Sequence, residues 1–207
     1  MLAGLLFGTV HACGADHVMT VTSISRAGTS SRRAVLGYGM RWSLGHAIAL
    51  IGIGTLLAIG GWSFPWMLGA VAESLVALAL CGLGFYLLRG SLRRPVGTMI
   101  YCATRPSAES IPSRGIVCLG SLHGLAGAAP VLALVPLADQ RDPWITCAYL
   151  LCFSVGVILA MFVIASLLSS ANYRVQRYGA RLDAMLNGAV GCGAIGIGTA
   201  MFVSVMP

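Results

Sequence analysis

Lysine is absent from this chain, and charge of either sign is scarce. Only 9% of its 207 residues are charged, against 57% apolar, whereas soluble domains carry about 25% charged residues. A mean hydropathy of +0.87 removes an ordinary soluble domain from consideration. The sequence also has no CxxC pair and no secreted-module cysteine spacing. Its seven cysteines (Cys13, Cys81, Cys102, Cys118, Cys147, Cys152 and Cys192) fall mostly in apolar runs, so they read as small packing residues rather than disulfides. No P-loop, dinucleotide site or nucleophile triad is visible, so no enzyme activity and no prosthetic group are expected. The opening MLAGLLFG lacks the basic stretch of a signal peptide, and its apolar run is read as a retained helix.

What is present is length of apolar sequence. A membrane-crossing helix needs about 20 mostly apolar residues, and six stretches qualify: 2–25, 34–60, 67–89, 115–137, 144–170 and 183–206. The expected fold is therefore all-α, a polytopic membrane protein of six transmembrane helices in one domain. All thirteen basic residues are arginine, giving a net charge of +7. They gather around three connectors, 26–33, 90–114 and 171–182, as Arg26, Arg32, Arg33, Arg89, Arg93, Arg94, Arg105, Arg114, Arg174, Arg177 and Arg181. The connector 61–66 holds none and 138–143 only Arg141. By the positive-inside rule the arginine-rich connectors are cytoplasmic and both termini lie outside, with Trp62, Trp66 and Trp144 at the outer interface. The arginines then serve topology and anionic lipid, not nucleic acid. Arg41 is read as snorkelling to the boundary.

The two halves echo each other. GTVH ending at His11 matches GSLH ending at His123, SLG at 43–45 matches SVG at 154–156, and MLGAV at 67–71 resembles MLNGAV at 185–190. The offsets are 112, 111 and about 119 residues. Three-helix repeats must enter the membrane in opposite senses, so the expectation is two inverted three-helix repeats, 1–90 and 114–207, linked by the cytoplasmic loop 90–114. That plan places a substrate site near the midplane between repeats. The 27 glycines read as close helix packing.

All four histidines, His11, His17, His46 and His123, lie in apolar runs, and the segment HACGADH at 11–17 adds Asp16. Ionisable groups at membrane depth are costly and mark functional sites; imidazoles with a carboxylate suit a borderline transition-metal ion. At 1.5 Å per residue, His11, His46 and His123 fall about 15, 18 and 13 Å from their nearer boundaries, so these three are expected to converge, with Asp16 and His17 nearer the cytoplasm. On a straight helix His11 and His17 stand about 120° and 9 Å apart and cannot share an ion. Either Gly14 breaks the helix or the residues are two successive stations. Asp16 would ligate or fix a histidine tautomer. Cys13 is read as packing, and Glu73 as facing a vestibule or pairing with an arginine.

HACGADHV at 11–18, followed by RAVLGYGMRWSLGHA at 33–47, resembles the nickel/cobalt transporter superfamily, including its shorter urease-accessory-permease relatives. Its hallmark is a histidine, four residues and Asp-His in one helix, with Ser-Leu-Gly-His in the next. HGLAG at 123–127 is similar to an element of the shorter members. The likeness covers residues 4–50 and, more loosely, 119–135. Long members carry an acidic residue where this chain has Gly14, and their later acidic signatures and the His-rich loop of some exporters are missing here.

The resemblance implies metal handling by His11, Asp16, His17, His46 and His123, with Ni²⁺ or Co²⁺ as substrate. The expectation is a secondary permease of a bacterial inner membrane, with activity falling below about pH 6.5 as imidazoles protonate. Partners expected are the metal ion and lipid, in a homo-oligomer or larger membrane complex. Two other readings stay open: an accessory subunit that does not transport, and an exporter of a small organic or sulfur-containing solute.

Overall fold

The computed structural model describes residues 1–28, 31–92, 112–128 and 143–206, and among them it is helical with no β-strand. The helices are α1 (Leu2–Ala12), α2 (Ala15–Ala27), α3 (Arg32–Gly60), α4 (Trp66–Leu92), α5 (Ser113–Ala126), α6 (Pro143–Arg177) and α7 (Ala180–Val205). Four of them, α3, α4, α6 and α7, are long and apolar enough to cross a membrane, consistent with an integral membrane protein. Large apolar side chains cover the outside, with Val10, Ile59 and Leu167 each at least 65% exposed, a surface suited to lipid rather than water.

The expected stretch 2–25 is divided. The N–H groups of Cys13 and Gly14 bond back to the carbonyls of Val10 and His11 at 3.0 and 2.9 Å, a tightened last turn that ends α1. Gly14 then turns extended (ψ 141°) and its carbonyl accepts the Val18 N–H at 3.0 Å, starting α2. The backbone here suits any residue, but a Cβ on Gly14 would lie 2.8 Å from Asp16 Oδ1 and 3.1 Å from the His11 carbonyl. Glycine here leaves room for the Asp16 carboxylate beside His17, rather than serving an unusual dihedral.

Boundaries elsewhere shift modestly. The helix α4 runs on to Leu92 and α6 to Arg177, so Arg174 and Arg177 sit on a helix, not in a connector. The α3 helix ends at Gly61 in the left-handed region (φ +63°), where glycine costs nothing, and Gly179 (φ +103°) separates α6 from α7. Of the expected fourth stretch, α5 and the turn at Gly127 are described. Its remainder, most of the connectors 90–114 and 138–143, Arg93, Arg94, Arg105, Arg141 and Cys102 lie outside the described residues. The six described cysteines are free thiols.

Packing is closest between α1 and α6, α3 and α5, α4 and α7, and α3 and α6. Glycines set the first two crossings. A Cβ on Gly8 would overlap the Phe153 carbonyl, and one on Gly156 the Leu5 carbonyl. In the same way Gly120 meets the Trp42 carbonyl and Gly45 the Val117 carbonyl. Each contact in one crossing has its counterpart 111 or 112 residues away in the other, and both helix pairs run parallel. The α4–α7 pair is antiparallel: Gly84 abuts the Gly191 carbonyl, and Gly198 the Ala77 carbonyl. In these two contacts Gly198 and Gly191 stand 114 residues after Gly84 and Ala77.

Trp42 and Phe153 are fully buried at the centre. Between the pairs lies α2, packed against α3, α4, α6 and α7. Its residues from His17 onward are buried or half-buried on every face.

Candidate metal centre

The break at Gly14 redirects the chain so that His17 stands beside His11. Their ring centroids are 4.6 Å apart, and His46 from α3 stands 5.6 Å from His11 and 5.4 Å from His17. Each of the three offers a nitrogen within 4.8 Å of the others'. Nitrogens around one tetrahedral ion stand about 3.3 Å apart, so small side-chain rotations would close the set. Trp42 walls one side, 5.1 Å from His17 and 5.5 Å from His46. Phe153 walls another, 5.3 Å from His11. Gly127 leaves room for the His11 ring, which a Cβ there would meet at 3.1 Å.

The nitrogens are buried without hydrogen-bond partners: Nε2 of His11, Nε2 of His17, and both Nδ1 and Nε2 of His46. Nearly all buried polar groups in native proteins are paired, and an unpaired one costs about 1–3 kcal/mol. Three such imidazoles, each with one nitrogen within 4.8 Å of the others', form a donor set. Asp16 Oδ2 lies 2.8 Å from His17 Nδ1, an ion-pair contact not aligned as a hydrogen bond. It places a carboxylate behind the imidazole, where it can orient the ring. Asp16 also occupies the first turn of α2, where the helix dipole favours negative charge.

The grouping differs from the expected one in two members. His17, expected at a separate cytoplasmic station, joins His11 and His46 because the helix breaks between them. His123, expected with His11 and His46, stands beside the triad, 5.4 Å from His17, with both nitrogens engaged. Its Nδ1–H donates to the Leu119 carbonyl (2.9 Å) and its Nε2 accepts from the Thr20 hydroxyl (3.1 Å). Cys13 is exposed and bonds back to the Thr9 carbonyl. Glu73 is half-buried on α4 and makes no ion pair with an arginine among the described residues.

A second polar cluster escaped the reading of the sequence. Arg26, taken there for a topology arginine, turns inward from the end of α2 and is 8% exposed. Its Nε donates to Asn187 Oδ1 (2.6 Å) and its Nη1 to Asn172 Oδ1 (2.9 Å). Its Nη2 donates to the Asp183 carbonyl (3.0 Å) and carboxylate (2.6 Å). The available signal was the pair Asp183 and Asn187, four apart and so on one face of an apolar helix.

The chain matches no protein-family model, no curated protein and no solved structure.

Proposed function

We propose that the chain is a membrane permease for a divalent transition-metal ion, Ni²⁺ or Co²⁺, bound in transit by His11, His17 and His46. The observation that carries this reading is the convergence of buried, unpartnered imidazole nitrogens from α1, α2 and α3. Neutral imidazole suits Ni, Co, Zn and Cu and discriminates against Mg and Ca, which take oxygen ligands. Choosing Ni²⁺ or Co²⁺ within that group rests on the family resemblance. Asp16 supplies a negative charge beside the dication, and Trp42 and Phe153 keep water from the ion. His123 props the wall of the site by holding Thr20 of α2 against α5.

In this reading the chain makes six spans, α1 and α2 together forming the first, as two inverted three-helix repeats. The recurrence of the Gly8–Phe153 crossing as Gly120–Trp42 supports it, as does the exposure of Trp62, Trp66 and Trp144 at helix ends, where an interfacial aromatic belt would lie. Transport follows from the two halves rocking about the site.

The test is Ni²⁺ and Co²⁺ flux into proteoliposomes, comparing wild type with the His11→Ala/His17→Ala/His46→Ala variant. Saturable flux lost in the variant is expected. Flux that persists in the variant, or its absence from folded wild type, overturns the reading.

A further inference from the structure

We propose that Arg26 latches a polar passage running from the histidine triad to the far end of α2, an inference that rests on the permease reading above. The helix α2 is a short rod with non-helical backbone at each end, Gly14 before it and Gly28 (ψ −157°) after it. One end carries Asp16 and His17, and the other carries Arg26, about 14 Å further along the axis. The Arg26 guanidinium bonds to α6 and α7 through Asn172, Asp183 and Asn187. The rod is therefore clamped at the end remote from the metal ligands.

As a mere staple the cluster is extravagant, since packed apolar side chains hold helices as well as a buried ion pair does. Directed polar bonds have a different property: water can take each of them over, so the closed and the wetted arrangement can lie close in free energy.

Two hydroxyls show where the water would go. Ser23 on α2 and Ser169 on α6 are both buried, and neither Oγ has a hydrogen-bond partner. Ser23 precedes Arg26 by three residues and Ser169 precedes Asn172 by three, so each shares a helix face with its latch residue. Both lie on the triad side of the latch. Their unmet hydrogen bonds cost free energy while the latch is shut and are recovered when the passage fills. Release of Arg26 opens the path; its return to Asp183 and the two asparagines seals it.

The experiment is the reaction of Ser23→Cys with a membrane-impermeant, cationic methanethiosulfonate in proteoliposomes of determined orientation. Reagent is added at the face where α2 ends, and labelling of the parent chain's own cysteines is subtracted. Slow labelling is expected with the latch intact, and labelling at least about tenfold faster in Ser23→Cys/Asp183→Asn, which discards the ion pair. If that variant is not monodisperse, Ser23→Cys/Asn172→Ala, which gives up one bond and keeps the ion pair, carries the test with about a threefold acceleration. An unchanged rate in a folded variant overturns the latch. The readout needs no metal, so faster labelling in a protein that moves no Ni²⁺ would reject the permease and keep the latch.

Discussion

An imidazole sealed from water with neither nitrogen bonded weakens the fold that holds it, and His46 is such a residue, with no exposed surface. His123 is equally buried yet fully bonded. The two should respond oppositely to an apolar replacement. His46→Leu is expected to leave the thermal midpoint unchanged or higher while Ni²⁺ affinity by titration calorimetry falls at least about tenfold. His123→Leu is expected to lower the midpoint, at about 1–3 kcal/mol of lost stability, with Ni²⁺ affinity kept within about threefold. Asp16→Asn, which removes the charge behind His17, should weaken Ni²⁺ binding about 10- to 100-fold without unfolding the protein. The residue types of the triad were legible because imidazole in an apolar run is costly wherever it points. Which nitrogens are bonded was not, because Thr20 reaches His123 across 103 residues of sequence.

For the helices, apolar length sufficed to find α3, α4, α6 and α7 to within a few residues at most ends, since spanning a bilayer sets a minimum run. The division between α1 and α2 was one of two alternatives, because a lone glycine is tolerated in a helix and only its neighbours decide. Here the deciding neighbours are Asp16 and the His11 carbonyl. Gly14→Ala should therefore displace the Asp16 carboxylate from His17 and reduce Ni²⁺ affinity more than it reduces stability, read by calorimetry and thermal unfolding together. The crossings give a matched pair of expectations. Gly8→Ala and Gly120→Ala each push a methyl into a facing carbonyl, and each should destabilise by about 1–3 kcal/mol, similarly because the two contacts are alike. Contacts between α4 and α7 were not legible, because short sequence matches track similar letters, whereas contact depends on which glycines touch.

For the whole molecule, the proposed six-span reading puts both termini on one side and the α2–α3 connector on the other. Epitope tags at each terminus should be reached by an impermeant antibody from the same side of sealed vesicles, and a tag between Gly28 and Ser31 from the opposite side. Arginine placement is the basis of that expected orientation, but it hid Arg26, whose position at the end of an apolar run looks the same whether the side chain turns out or in. The covering of α2 on all faces has a consequence for the order of assembly. Arg26 emerges from the ribosome some 146 residues before Asn172 and later still before Asp183 and Asn187. Until they arrive Arg26 lacks the bonds to Asn172, Asp183 and Asn187 that offset its burial, and a buried charge without its partner is strongly destabilising. The nascent chain must therefore shelter α2 beside α1, in the translocon or at the lipid surface, until its last two helices arrive. Quality control should then read the C-terminal third: chains cut after Tyr178 are expected to insert and be degraded, with a pulse-chase half-life well below that of the full chain.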